Sequence, residues 1–176
     1  LIAWSITDDT LRFWADILQD AFQIVEMLFN QFEGLVKAFI EQVRAAVAAI
    51  NARILEEASK LEPDQEVIDT CKMLIEELRA LVQAVLEYVQ VTVELANDKT
   101  DQVINFVENA LYQLELDHQE DLSGEDAGDV AGSGAEMIIF SVDTGANAVA
   151  SVYSDGNGMM VAFISMVANI VSQIPA

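Results

Sequence analysis

Apolar residues return along the first third of the chain at alternating steps of three and four: Leu11, Trp14, Leu18, Ala21, Val25, Leu28, Phe32, Leu35 and Phe39. Past Phe39 the seam continues through Ile40, Val43, Val47, Ile50 and Ile54. A helix turns once in 3.6 residues, so this spacing gathers the side chains into one stripe. A strand would need alternation by two. A second set, Phe13, Ile17, Ile24, Phe29 and Val36, widens the stripe beyond what one partner helix covers. The pattern therefore predicts a bundle or an oligomer.

A second helix is predicted after Pro63, which suits a first helical turn, with Asp64 and Glu66 complementing the helix dipole. Val67, Cys71, Leu74, Leu78, Leu81, Val85, Tyr88, Thr92 and Leu95 repeat the seam, and Val103, Val107, Leu111 and Leu114 carry it on. Two places interrupt the pattern. Gly34 allows a bend or a close neighbour, and 97–101 is a polar stretch where a helix can restart. The short turn near Pro63 makes the two runs antiparallel neighbours. Unbroken, they form a long helical hairpin; broken at Gly34 and Asn97, they form a four-helix-bundle-like domain over residues 1–116.

Residues 117–134 combine six acids with four glycines and no base, and read as a linker. Residues 135–176 have another texture. Met137–Val142 is a short run of β-formers, 143–147 reads as a turn, and 148–153 alternates small and apolar residues. Asp155-Gly156-Asn157-Gly158 is a strong turn signal. The expectation is a small β-hairpin followed by a terminal helix. The fold class is mainly α with this appendage.

Charge narrows the functional classes. The net charge is −22, and all eight Lys and Arg residues lie at or before Lys99. Phosphate backbones and anionic membranes are repelled by such a chain, which argues against nucleic acid as a partner. No apolar stretch reaches the ~18 residues of a spanning helix, so no transmembrane segment is expected. The acidic linker offers loose Ca²⁺ binding without the spacing of an EF-hand loop. The lone cysteine, Cys71, lies on the second seam and reads as a core residue, with a disulfide between two chains as the alternative. The chain begins at Leu1 rather than Met, and a processed, secreted product is the expectation.

Two short motifs bear on chemistry. Val142-Asp143-Thr144-Gly145-Ala146-Asn147 resembles the aspartic-protease active-site motif, in which the Asp shares a proton with a second Asp. Only 33 residues follow Asp143, too few for the rest of a protease lobe, and the segment reads instead as a strand ending in a turn. Glu115 and His118 have the Glu-x-x-His spacing of di-iron bundles, which need a second such pair. The chain has one histidine. No metal or cofactor site and no catalysis are expected. The acidic pairs Glu56/Glu57 and Glu76/Glu77 read as solvated.

The functional expectation is a structural protein that self-associates into an oligomer or filament. Residues 135–176 would supply the contact through Met137, Ile139, Phe140, Val149, Val152, Tyr153, Met160, Phe163 and Val167. Low pH or divalent cations would favour assembly, because carboxylates crowded together take up protons more readily. The alternative is a helical carrier of a lipid or other apolar ligand, held by Trp14, Phe22, Phe29, Phe32 and Phe39.

Overall fold

The computed structural model describes the backbone of residues 8–120 and 126–176, and the side chains of Arg12, 14–113 and 136–176. The chain is mainly α. Its elements are α1 (Asp8–Ala58), α2 (Gln65–Glu120) and α3 (Asp126–Ser172), and there is no strand among the described residues. The chain packs as two compact units, Leu1–Leu28 with Glu94–Tyr153, and Phe29–Val93 with Ser154–Ala176. Each unit takes a part of all three helices.

In the first unit Trp14 of α1 packs with Val103, Val107 and Leu111 of α2 and with Ile138 and Val142 of α3. Ile17, Leu18, Phe22 and Ile139 pack against this cluster. In the second unit the buried side chains are Phe32, Phe39, Ala46 and Ile50 of α1, Cys71, Leu74, Leu78 and Val85 of α2, and Met160, Phe163, Val167 and Ile170 of α3. Each large side chain buried there contributes about 1.5–3 kcal/mol. Two contacts set the direction. Gly156 lies against Phe32 and Thr92, and seven residues on, Phe163 meets Tyr88 edge-on with ring centroids 5.5 Å apart. As α3 advances, α2 retreats, so the two are antiparallel and α3 runs parallel to α1.

Of the two alternatives for the first two helices the unbroken one is observed, and one expectation, the β-hairpin, is corrected. α1 continues unbroken through Gly34, where an added Cβ would meet nothing. α2 runs through 97–101, with Thr100 Oγ1 donating to the Ala96 carbonyl at 2.8 Å. The β-hairpin at 137–153 is helix. The exposure pattern gives the reason. In a strand Ile138, Phe140 and Val142 would share a face, yet Ile138 and Val142 are buried while Phe140 is 71% exposed. Val142, Ala146, Val149, Tyr153, Gly156, Met160, Phe163, Val167 and Ile170 are all buried, an unbroken three-four seam. The supposed turn glycines serve packing. A Cβ on Gly145 would collide with Val103, and one on Gly156 would stand 3.1 Å from Phe32 and 3.2 Å from Thr92.

Of the stretch read as a linker, 117–120 close α2 and 126–134 open α3, while 121–125 lie outside the described residues.

Candidate functional site

Helices that pack along one seam usually turn charged residues outward. α1 and α2 do so, with Glu33, Lys37, Glu76 and Arg79 exposed. α3 does not. Between Met137 and Ser172 its charged residues are Asp143 and Asp155 alone. The outer face instead carries Met137, Phe140, Met159, Val161 and Met166, each 40–71% exposed, among Thr144, Asn147, Ser151, Ser165 and Asn169. Exposed apolar side chains also occur on α1 and α2, for example Met27, Leu55 and Leu86. The scarcity of charge over 137–172 is what sets this part of α3 apart.

The hydroxyls on this face are turned inward. Thr144 Oγ1 donates to the Phe140 carbonyl at 2.8 Å, Ser151 Oγ to Asn147 at 3.0 Å, Ser165 Oγ to Val161 at 3.2 Å and Ser172 Oγ to Asn169 at 2.6 Å. A hydroxyl that donates to its own helix has spent its one hydrogen. These hydroxyls therefore offer water no hydrogen, and the face is less costly to dehydrate than its hydroxyl content implies, the Asn147 and Asn169 amides aside.

Of the residues expected at an assembly interface, Met137 and Phe140 are exposed, Ile139 and Val152 are half-buried, and Val149, Tyr153, Met160, Phe163 and Val167 face the chain's own core. Burial raises the Tyr153 hydroxyl above its ordinary pKa of 10.0. Met159, Val161 and Met166, which that expectation left out, are on the outer face. The seam of Met160, Phe163 and Val167, through which the expected terminal helix would make its contacts, is buried in the chain's own core. Of the residues expected to hold an apolar ligand, Trp14, Phe32 and Phe39 are buried core, Phe22 is half-buried against the first unit's core, and Phe29 is 37% exposed.

Asp143 is exposed on α3, and Thr144 and Gly145 continue the helix. This is not the strand-and-loop setting of an aspartic-protease motif. The side chains of Glu115 and His118 lie outside the described residues. Among the described residues no cluster of His, Cys, Asp or Glu is placed to hold a metal ion, and no helix is long and apolar enough to cross a membrane. Cys71 is fully buried.

One polar centre is at the end of the second unit. Glu57, 3% exposed, accepts hydrogen bonds from Arg53 Nη1 at 2.9 Å, Lys60 Nζ at 2.7 Å and the Asp64 amide at 3.0 Å. Arg53 also donates through Nε to the Pro175 carbonyl at 2.8 Å and through Nη2 to the Ala176 oxygen at 3.2 Å. Lys60, the Asp64 amide and Arg53 hold the Glu57 carboxyl well below its ordinary 4.5, at about 2. Asp64 in turn caps α2, its Oδ1 accepting the Glu66 amide at 3.0 Å. Every group is matched to another within the cluster, so it fastens the α1–α2 turn to the end of α3. The solvated reading of Glu57 missed it. The signal was the seven-residue step from Val43 to Ile50 to Glu57, which puts Glu57 on the buried seam.

No protein-family model, no curated protein and no solved structure matches this chain.

Proposed function

We propose that the chain is a non-enzymatic structural protein that self-associates through the outer face of α3. The observation that carries the reading is the charge contrast between α3 and the other two helices. A chain of net charge −22 repels its own copies wherever carboxylates face one another. A basic partner would be drawn to the acids of α1 and α2. A face that has Asp143 and Asp155 as its only carboxylates between Met137 and Ser172, with exposed methionine, valine and phenylalanine, suits a partner that is equally acidic, which is another copy of the chain.

Protonation or divalent cations would relieve the remaining repulsion, so assembly should strengthen as pH falls or as Ca²⁺ is added. The test is light scattering coupled to size-exclusion chromatography at about pH 7.5 and about pH 5.5, with and without Ca²⁺. The expected result is an oligomer or filament that grows at the lower pH and is dispersed by Val161→Glu with Met166→Glu. A monomer of 19.3 kDa under every condition would overturn the reading.

A further inference from the structure

Lys99 differs from every other basic residue in the chain. Seven of the eight have a carboxylate three or four positions away, where helical neighbours meet. Four of those seven close ion pairs: Lys37 with Glu33, Arg53 and Lys60 with Glu57, and Arg79 with Glu76. Lys99 has Leu95, Ala96, Gln102 and Val103 at those positions. Asp98 and Asp101 are one and two positions away and so point to other sides of α2. Lys99 is half-buried and makes no ion pair among the described residues. Its ammonium therefore has no carboxylate within a helical turn to occupy it, and is open to an anion from outside the chain.

It stands at an open groove between α2 and α3, inside the first unit, with a volume of about 320 Å³. The walls are Val103, Phe106 and Phe140, and Gln102 lies one turn from Lys99. The floor is set by Gly145, which lets α3 close onto Val103. Phe106 and Phe140 are 41% and 71% exposed, so the groove offers aromatic surface that the core does not use. The volume is at the small end of the ~300–1,000 Å³ typical of ligand pockets.

We propose that this groove binds a single-chain apolar carboxylate, a medium-chain fatty acid. Lys99 pairs with the carboxylate, the Gln102 amide donates a second hydrogen bond, and the alkyl chain lies between Phe106 and Phe140. A ligand without a charge would leave Lys99 unpaired, and a polar anion would leave the aromatic walls wet. An amphipathic carboxylate answers both. The site is separate from the five-residue aromatic set expected from the sequence, none of which lines the groove.

The test is isothermal titration of the full chain with octanoate, decanoate, dodecanoate and uncharged dodecanol, in salt of ~0.1 M. Affinity should rise about fourfold per added methylene until the groove is full. Lys99→Met should weaken dodecanoate by about tenfold or more while leaving dodecanol unchanged. Phe106→Ser should weaken both. Circular dichroism of each variant should match the parent, which separates a lost site from a lost fold. No saturable binding of dodecanoate overturns the proposal. So does an equal response of dodecanoate and dodecanol to Lys99→Met, or dodecanoate binding that survives Phe106→Ser intact.

Discussion

Gly145 of α3 lies so close to Val103 of α2 that a single added carbon would overlap the valine methyl. Helix propensity alone would favour Ala at that position by about 1 kcal/mol. The collision with a buried, β-branched side chain on a facing helix outweighs this, at about 1–3 kcal/mol. Gly145→Ala should therefore destabilise the protein in urea denaturation. Adding Val103→Ala to it should recover part of the loss. A double variant that behaves as the plain sum of the two singles would show that the two residues do not share the space.

The same substitution should have the opposite sign at Gly34, where a Cβ meets nothing. Gly34→Ala is expected to raise stability by up to about 1 kcal/mol, chiefly by limiting the unfolded chain. A lower urea midpoint for this variant would contradict the open surroundings described for Gly34.

Glu57 makes the acid limb of stability specific. Its carboxyl is held at about 2 in the fold against an ordinary 4.5. A depressed carboxyl stabilises the fold in full above the unfolded value, and the contribution disappears as pH falls through the window from about 4.5 to about 2. Denaturation midpoints of the parent should drop across that window, and those of Glu57→Gln should start lower and change less. Parallel profiles for the two proteins would remove Glu57 from the account. The window lies below the pH at which assembly is to be tested, so the two processes can be told apart.

Tyr153 sets an alkaline counterpart. Its hydroxyl is 5% exposed as a residue and is pushed above 10.0 by burial. A group with a raised pKa contributes fully below its unfolded value and less as pH rises beyond it. Stability should fall above about pH 10, as the unfolded chain ionises first, and Tyr153→Phe should flatten that fall. Spectrophotometric titration of the parent against Tyr153→Phe in which Tyr153 ionises near 10, with the helices intact, would exclude it.

Salt should stabilise the monomeric fold. With a net charge of −22, repulsion between the outer faces of α1 and α2 opposes compaction. Raising NaCl from ~0.1 M to ~1 M shortens the screening length from about 10 Å to about 3 Å. The thermal midpoint should climb over that range, and Mg²⁺ or Ca²⁺ should act at lower concentration. A midpoint indifferent to salt would mean that the carboxylates are too dispersed to matter.

Much of α1 and α2 could be read directly. Their seams of Phe32, Phe39, Leu74, Leu78 and Val107 carry large side chains against a charged background, and contrast makes a period visible. α3 has the same three-four period, but Gly145, Ala146, Gly156 and Asn157 occupy seam positions where Leu would be expected. Small residues there allow close helix approach, and they also imitate turn signals. Its outer face lacks the Lys and Glu that mark a solvent side, so the run Met137–Val142 passed for a strand. Phe140 decides the matter, because its exposure between buried Ile138 and Val142 fits only a helix. Val149 and Tyr153, expected to make contacts between chains, lie on the buried seam of this helix. Lys99 was overlooked because what distinguishes it is a missing partner, and no motif records an absence.

The confinement of basic residues has a consequence for how the chain can be taken apart. Trypsin cuts after lysine or arginine, and the last such residue is Lys99, within α2 and half-buried. All of α3 is therefore opaque to it. Digestion of the denatured chain must release residues 100–176 as one piece. In the folded protein, the rate of cleavage at that single bond would report how often α2 opens beside the groove.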